Sequence, residues 1–286
     1  MNSSEIEKRQ NEDRMLRYQY ASRRYFNRAE KLNDLVWVMC IISWLVIFLP
    51  DIPNTEILVI VISAFADTVA VIFSGIMANY IASASSLRRY FDAYVLGINI
   101  EQFDAPQVQK LEELSLKAIN DSPDIAKVEM ANTGHDKPNG VRNWYEFTRP
   151  LSEEDAVYEC QKLNGWWNKK MSGERIKYTV IRLIIFISLA ILLLIITKAD
   201  ILITILSSIA LIIKCIERLV ANLRYYKISL EIDGAIDVLT SNRSSENVKE
   251  VQAKIDERRA MPVLERNRIH KRRSKEYHQL YHDTNI

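Results

Sequence analysis

Apolar residues gather into four stretches, residues 35–49, 57 to about 81, about 179 to 197, and 201–213. Within each pair the interruption is short: Pro50-Asp51-Ile52-Pro53-Asn54-Thr55-Glu56 in the first, Lys198-Ala199-Asp200 in the second. Between the pairs runs a long polar segment. A helix rises about 1.5 Å per residue, so crossing about 30 Å of hydrocarbon takes about 20 apolar residues. The second stretch reaches that length unaided, and the others reach it with their flanks. The pattern therefore predicts an all-α membrane protein with four transmembrane helices in two hairpins. Its parts are an N-terminal helix (1–34), hairpin one (35–82), a helical segment (83–178), hairpin two (179–220) and a helical C-terminal region (221–286).

The polar parts read as helices too. Residues 4–34 lack Gly and Pro and predict one polar helix leading into the first span. The second span is expected to continue through Ser85-Ser86-Leu87-Arg88-Arg89-Tyr90-Phe91. Another helix begins at Asp104, which can cap free N–H groups, with Pro106 in the first turn and Val108, Leu111, Leu114, Ala118 and Ile119 on one face. Residues 121–140 carry Pro123, Gly134, Pro138 and Gly140 and predict a loop. Ser152-Glu153-Glu154-Asp155 opens a helix to about Met171. Periodicity through Leu219, Leu223 and Tyr226 carries the fourth helix on to about Leu239. After Ser244-Ser245, a last helix bears Val248, Val251 and Ile255 and weakens before Pro262.

Charge sets the orientation. The net charge is only +2, which gives no argument for nucleic-acid binding. Lys and Arg crowd the first 34 residues, the central segment and the tail, while the two short turns hold one cation, Lys198. Cation-rich loops stay in the cytosol, so both termini and the central segment are expected there. The polar first thirty residues show no signal-peptide pattern, so the first span is expected to serve as its own insertion signal. Cys40, Cys160 and Cys215 form no short-spaced set, which argues against disulfides and zinc.

Asp67 stands out within the apolar sequence. It lies about ten residues into the second span, near the bilayer midplane, where an acid costs at least about 2.5 kcal/mol unless it faces the bundle or water. Ser63, Asp67, Ala70, Ser74, Ala78, Ile81 and Ser85 share its side of the helix. Such a stripe reads as a helix or subunit contact, or as the lining of an aqueous path. The bland reading is an acid hydrogen-bonded inside a static bundle. Thr204, Ser208, Leu211, Cys215 and Arg218 form a weaker second stripe, and Arg182 reads as a cation reaching back to the headgroups.

Outside the spans, aromatic and basic residues are densest at Arg142-Asn143-Trp144-Tyr145 and over residues 160–170, which include Trp166 and Trp167. Aromatic faces beside cations suit a nucleotide-type ligand through stacking and phosphate pairing. Interfacial anchoring or core packing explains the same residues. No phosphate-cradling Gly loop, H-E-x-x-H or G-x-S-x-G is present, and His135, His270, His278 and His282 form no metal set. No enzymatic activity, metal or cofactor is expected.

Trp144-Tyr145, then Cys160-Gln161-x-x-Asn164-x-Trp166-Trp167, then Val251-Gln252 and Arg258-Arg259-x-x-Pro262 occur in order around two membrane hairpins. In this the chain resembles the SMODS-associating four-transmembrane effectors of bacterial cyclic-oligonucleotide anti-phage systems (CBASS). The resemblance implies an oligomeric, pore-forming effector of the bacterial inner membrane, linked to a nucleotidyltransferase. A cyclic di- or trinucleotide would activate it and cause leakage. Ser63, Asp67, Ala70 and Ser74 are then candidates for the pore or subunit contact. Trp144, Tyr145, Asn164, Trp166, Trp167, Arg258 and Arg259 are candidates for sensing. Two other readings stand beside this one: a non-conducting membrane scaffold that recruits a cytosolic partner, and an ion-coupled transporter, for which the second hairpin lacks an acid matching Asp67.

Overall fold

A computed structural model describes residues 2–46, 56–197, 201–261, 263–264, 273, 276–277 and 280, with no side-chain description at 56, 197, 201–207 and 209–210. Residues 50–55 and 198–200 of the two turns, the side chain of Thr204, and Pro262, His270, His278 and His282 lie outside what is described. Among the described residues there are eight α-helices and no strand. They are α1 (Ser3–Gln10), α2 (Asp13–Val46), α3 (Glu56–Leu96), α4 (Ala105–Asn120), α5 (Pro123–Ala131), α6 (Glu153–Thr197), α7 (Ile201–Ser241) and α8 (Ser245–Ala260).

Local chemistry accounts for most boundaries. Asp104 accepts a hydrogen bond from the Gln107 N–H at 2.8 Å at the start of α4. Ser152 Oγ accepts from the Asp155 N–H ahead of α6, and Ser244 Oγ accepts from the Asn247 N–H ahead of α8. Three expectations need correction. Residues 121–140 are not all loop, because Pro123 occupies the first turn of α5, where a missing N–H breaks no bond. The polar N-terminal helix is interrupted after Gln10, where Asn11 and Glu12 form a turn between α1 and α2. The helix opened at Ser152 does not stop near Met171. It runs unbroken for 45 residues into the apolar stretch.

The long helices pair antiparallel. Tyr18 meets Tyr90, Ser22 donates to the Ala84 carbonyl, and Tyr25 stacks with Tyr80, so rising numbers on α2 meet falling numbers on α3. Tyr158 with Thr240, Lys169 with Asp233, and Asn222 with Thr179 do the same for α6 and α7. A Cβ at Gly165 would lie 2.5 Å from Ile236 Cδ1, so α6 and α7 approach closely there.

The main core lies at the polar ends of these pairs. Met15, Leu16, Tyr18, Leu87, Phe91, Leu111, Val157 and Cys160 are buried together, each large apolar side chain contributing about 1.5–3 kcal/mol by leaving water. Cations on α2 fasten α4 and α5 to it: Arg17 pairs with Glu112, Arg28 with Asp121 and Arg23 with Glu129. The apolar ends are different. Phe65, Val71 and Ile195 are about two-thirds or more exposed, at 67%, 72% and 68%. Among the described residues two helices, α3 and α6, are long and apolar enough to cross a membrane, and their apolar windows are almost bare of protein cover. Bare apolar surface of that extent marks contact with lipid or another protein.

Candidate functional site

The residues expected to sense a ligand fall into two buried polar junctions and two aromatic groups. The first junction joins α3, α8 and the loop before α6. Arg259 lies 2.6 Å from the Asp92 carboxylate, and the Tyr145 hydroxyl donates to the other Asp92 oxygen at 3.0 Å. Gln10 clamps Tyr145 from behind, its amide donating to the Tyr145 carbonyl and accepting from the Tyr145 N–H. Arg89 and Arg259 both approach Asp256. Burial pulls Arg259 toward losing its proton, but Asp92, Tyr145 and Asp256 together outweigh that and hold it ionised above the ordinary arginine range. Burial, then the neighbouring Asp92 charge, pushes the Tyr145 phenol and the Cys160 thiol well above their ordinary values.

The second junction ties α6, α7 and α8. Gln161 donates to the Val248 carbonyl and to Gln252. One turn further along α6, Asn164 Oδ1 accepts from Arg258 at 2.5 Å and from Asn168 at 3.0 Å. Tyr225 of α7 donates to Asn168 Oδ1 at 3.0 Å. Arg258 is the largest fully buried side chain among the described residues, at 1% exposure, and lies over the Tyr225 ring. The spacing of Gln161, Asn164 and Asn168 puts all three on one face, which is why a short string can join three helices.

The aromatic groups sit apart from these junctions. Trp166 and Trp167 pack edge-to-face with each other and with Tyr277 of the tail, at centroid distances between 5.7 and 6.1 Å, and Lys170 lies over Trp166. Trp144 is 40% exposed beside Arg88, whose guanidinium lies 5.6 Å from its ring. The seven residues are therefore not one pocket. Arg258, Arg259, Tyr145 and Asn164 hold helices together, whereas Trp144 presents a face to solvent.

On α3, Ala70 is buried and Ser63, Asp67 and Ser74 are half-buried, but Ala78 of the expected stripe is exposed. The buried line runs through Ala66, Ala70, Met77, Ile81 and Ala84. Ser63 donates to the Ser43 carbonyl of α2, and Ser74 accepts from Lys214 of α7, so this edge of α3 meets two other helices of the chain. Among the described residues, the Asp67 carboxylate makes no hydrogen bond or ion pair. In the second stripe, Ser208 is buried and accepts from the Trp44 indole at 2.9 Å, with Leu211 and Cys215 buried nearby.

Sequence reasoning missed Asp92, the acid at the centre of the first junction. Its signal was present: a lone carboxylate inside Tyr90-Phe91-Asp92-Ala93-Tyr94-Val95, on a face that must be buried.

A family model, the SMODS-associating 4TM effector domain, matches residues 4–282. The chain belongs to this family. No curated protein and no solved structure matches it. Membership places this 4TM effector among membrane-associated effectors of SMODS nucleotidyltransferase systems, a family not known to be catalytic. Among the described residues of the effector, no group of three or more His, Cys, Asp or Glu side chains could hold a metal. The conspicuous string Cys160-Gln161-x-x-Asn164-x-Trp166-Trp167 supplies one arm of the second junction and the aromatic pair beside it.

Proposed function

We propose that this effector crosses the bacterial inner membrane four times, in two hairpins with cytosolic termini, and makes it leaky when a cyclic oligonucleotide binds its cytosolic part. The observation that carries the reading is the family match over nearly the whole chain, joined to α3 and α6, whose apolar windows lack protein cover. One chain with so few spans does not enclose a wide lumen, so several copies assemble, with Asp67 and its neighbours at the contact or lumen.

Binding must favour the open assembly. Moving an equilibrium from about 1:99 to 99:1 takes about 5.5 kcal/mol of differential affinity. Trp144 beside Arg88 offers the exposed stacking face. The ties Arg259–Asp92–Tyr145 and Arg258–Asn164 pass a change there to α3 and α6, the helices with bare apolar ends.

The test is dye release from proteoliposomes challenged with a panel of cyclic di- and trinucleotides. Leak with one of them is the expected result. Vesicles that stay tight with every ligand, while the protein still retains a cytosolic partner, would favour a non-conducting scaffold instead.

A further inference from the structure

From Ile213 onward the outward face of α7 carries an apolar line that the rest of the chain leaves exposed. Counted in sevens, the a places hold Ile213, Val220 and Lys227 and the d places hold Ile216, Leu223 and Leu230. Gly234 and Asp237 take the next a and d places and end the pattern. The five apolar members are between 40% and 50% exposed, and Lys227 is exposed with them. The other side of α7 is spent on the fold, with Tyr225, Ile232 and Ile236 buried.

Lipid does not account for this line. Asn222 donates to Thr179 and Lys169 pairs with Asp233, so residues 222–233 of α7 run beside residues 169–179 of α6. That part of α6 carries Lys169, Lys170, Arg175 and Lys177, and α7 itself carries Arg224, Lys227 and Glu231 there. Hydrocarbon does not take up so many ions. Leu223 and Leu230 therefore stand in water unless protein covers them.

The spacing says what covers them. Three successive sevens keep one seam of a helix turned toward a like helix. β-branched Ile213 and Val220 at a, with Leu223 and Leu230 at d, suit two parallel strands, Ile216 being the one departure. Copies inserted in one membrane with the same orientation present α7 in parallel. A single Lys at an a place fixes register and strand number at a cost in strength. The Lys227 stem packs in the seam while its ammonium reaches the rim, where Glu217, Arg224 and Glu231 alternate in sign at intervals of one seven and Glu231 offers the counter-charge. We infer that this stripe is a contact between two copies of the chain, α7 lying parallel and in register against α7. The inference rests on the assembly of copies proposed above, not on leakage or a ligand, and it names a surface other than the Asp67 edge of α3.

The experiment uses the full chain in proteoliposomes and in a neutral detergent. Leu223→Cys and Leu230→Cys, made separately and oxidised with copper phenanthroline, should each give a disulfide-linked dimer beyond that of the parent chain. Leu116→Cys, exposed on α4, should not. The double variant Leu223→Glu/Leu230→Glu should weaken association by about tenfold or more in sedimentation on dilution, as expected for losing buried leucines. Lys227→Ile should tighten it. Bridging at only one of the two leucines, as an antiparallel pair allows, would overturn the inference, and so would equal bridging at Leu116. Copies that associate without these bridges, and regardless of the glutamates, would overturn the α7 contact and leave the proposed assembly standing. A chain that is monomeric at every concentration would overturn both.

Discussion

Arg259 of α8 reaches the Asp92 carboxylate of α3 at 2.6 Å, with both side chains nearly removed from solvent. Each charge is tolerable only while the other is present. Asp92→Asn or Arg259→Gln alone should therefore lower stability by about 3–5 kcal/mol, because either leaves a buried charge unmatched. The double replacement should recover part of that loss. Denaturant unfolding of the four proteins in one detergent checks the coupling, and strictly additive losses would count against it.

The second junction should be weaker link by link. Asn164→Ala removes the acceptor that Arg258 uses between α6 and α8 and should cost about 1–3 kcal/mol. Hydrogen exchange on α8 should quicken more than on α4, which is fastened to α2 by Arg17 and Glu112.

Alkaline pH should destabilise the main core in a specific way. Burial and Asp92 hold the protons of Tyr145 and Cys160 well above their usual values. The unfolded chain releases those protons from about pH 8.5 for a thiol and about pH 10 for a phenol. The native state then binds more protons than the unfolded one, so stability present below that window is lost as pH rises through it. Melting curves from pH 7 to 10.5 should fall, and Cys160→Ala should make the fall shallower. Maleimide should spare Cys160 until the protein unfolds.

Gly165 tests how closely α6 and α7 approach. Alanine there requires the end of Ile236 to turn aside and Ile232 Cγ2, 3.2 Å from the new Cβ, to give slightly, while it gains helix propensity of about 0.8–1.0 kcal/mol, so Gly165→Ala should be near neutral. Gly165→Val adds two methyl groups to the same crowded contact with Ile232 and Ile236 and should lose about 1–3 kcal/mol. A thermal melt of the two variants separates these outcomes.

Asp67→Asn should change the leak rate or the toxicity of expression if that acid faces a lumen. Unchanged behaviour in both assays would leave it a packing residue of α3.

The helices were legible where a side chain announces their start, as at Asp104, Ser152 and Ser244. α5 escaped because Pro and Gly were read as loop residues, although a proline in a first turn breaks nothing. At the candidate site, the string from Cys160 to Trp167 was visible as a cluster, but its partners were not. Nothing in spacing couples Arg259 to Asp92, or Trp167 to Tyr277, since those contacts come from how separate helices pack.

The 45 residues of α6 extend about 68 Å without a break. One end carries Gln161 and Asn164, the other the bare apolar turns toward Ile195. A rod of that kind has no joint at which a tilt can be absorbed. A few degrees of rotation forced on its polar end must sweep the far end through several ångströms, with the close α6–α7 approach at Gly165 as the fulcrum.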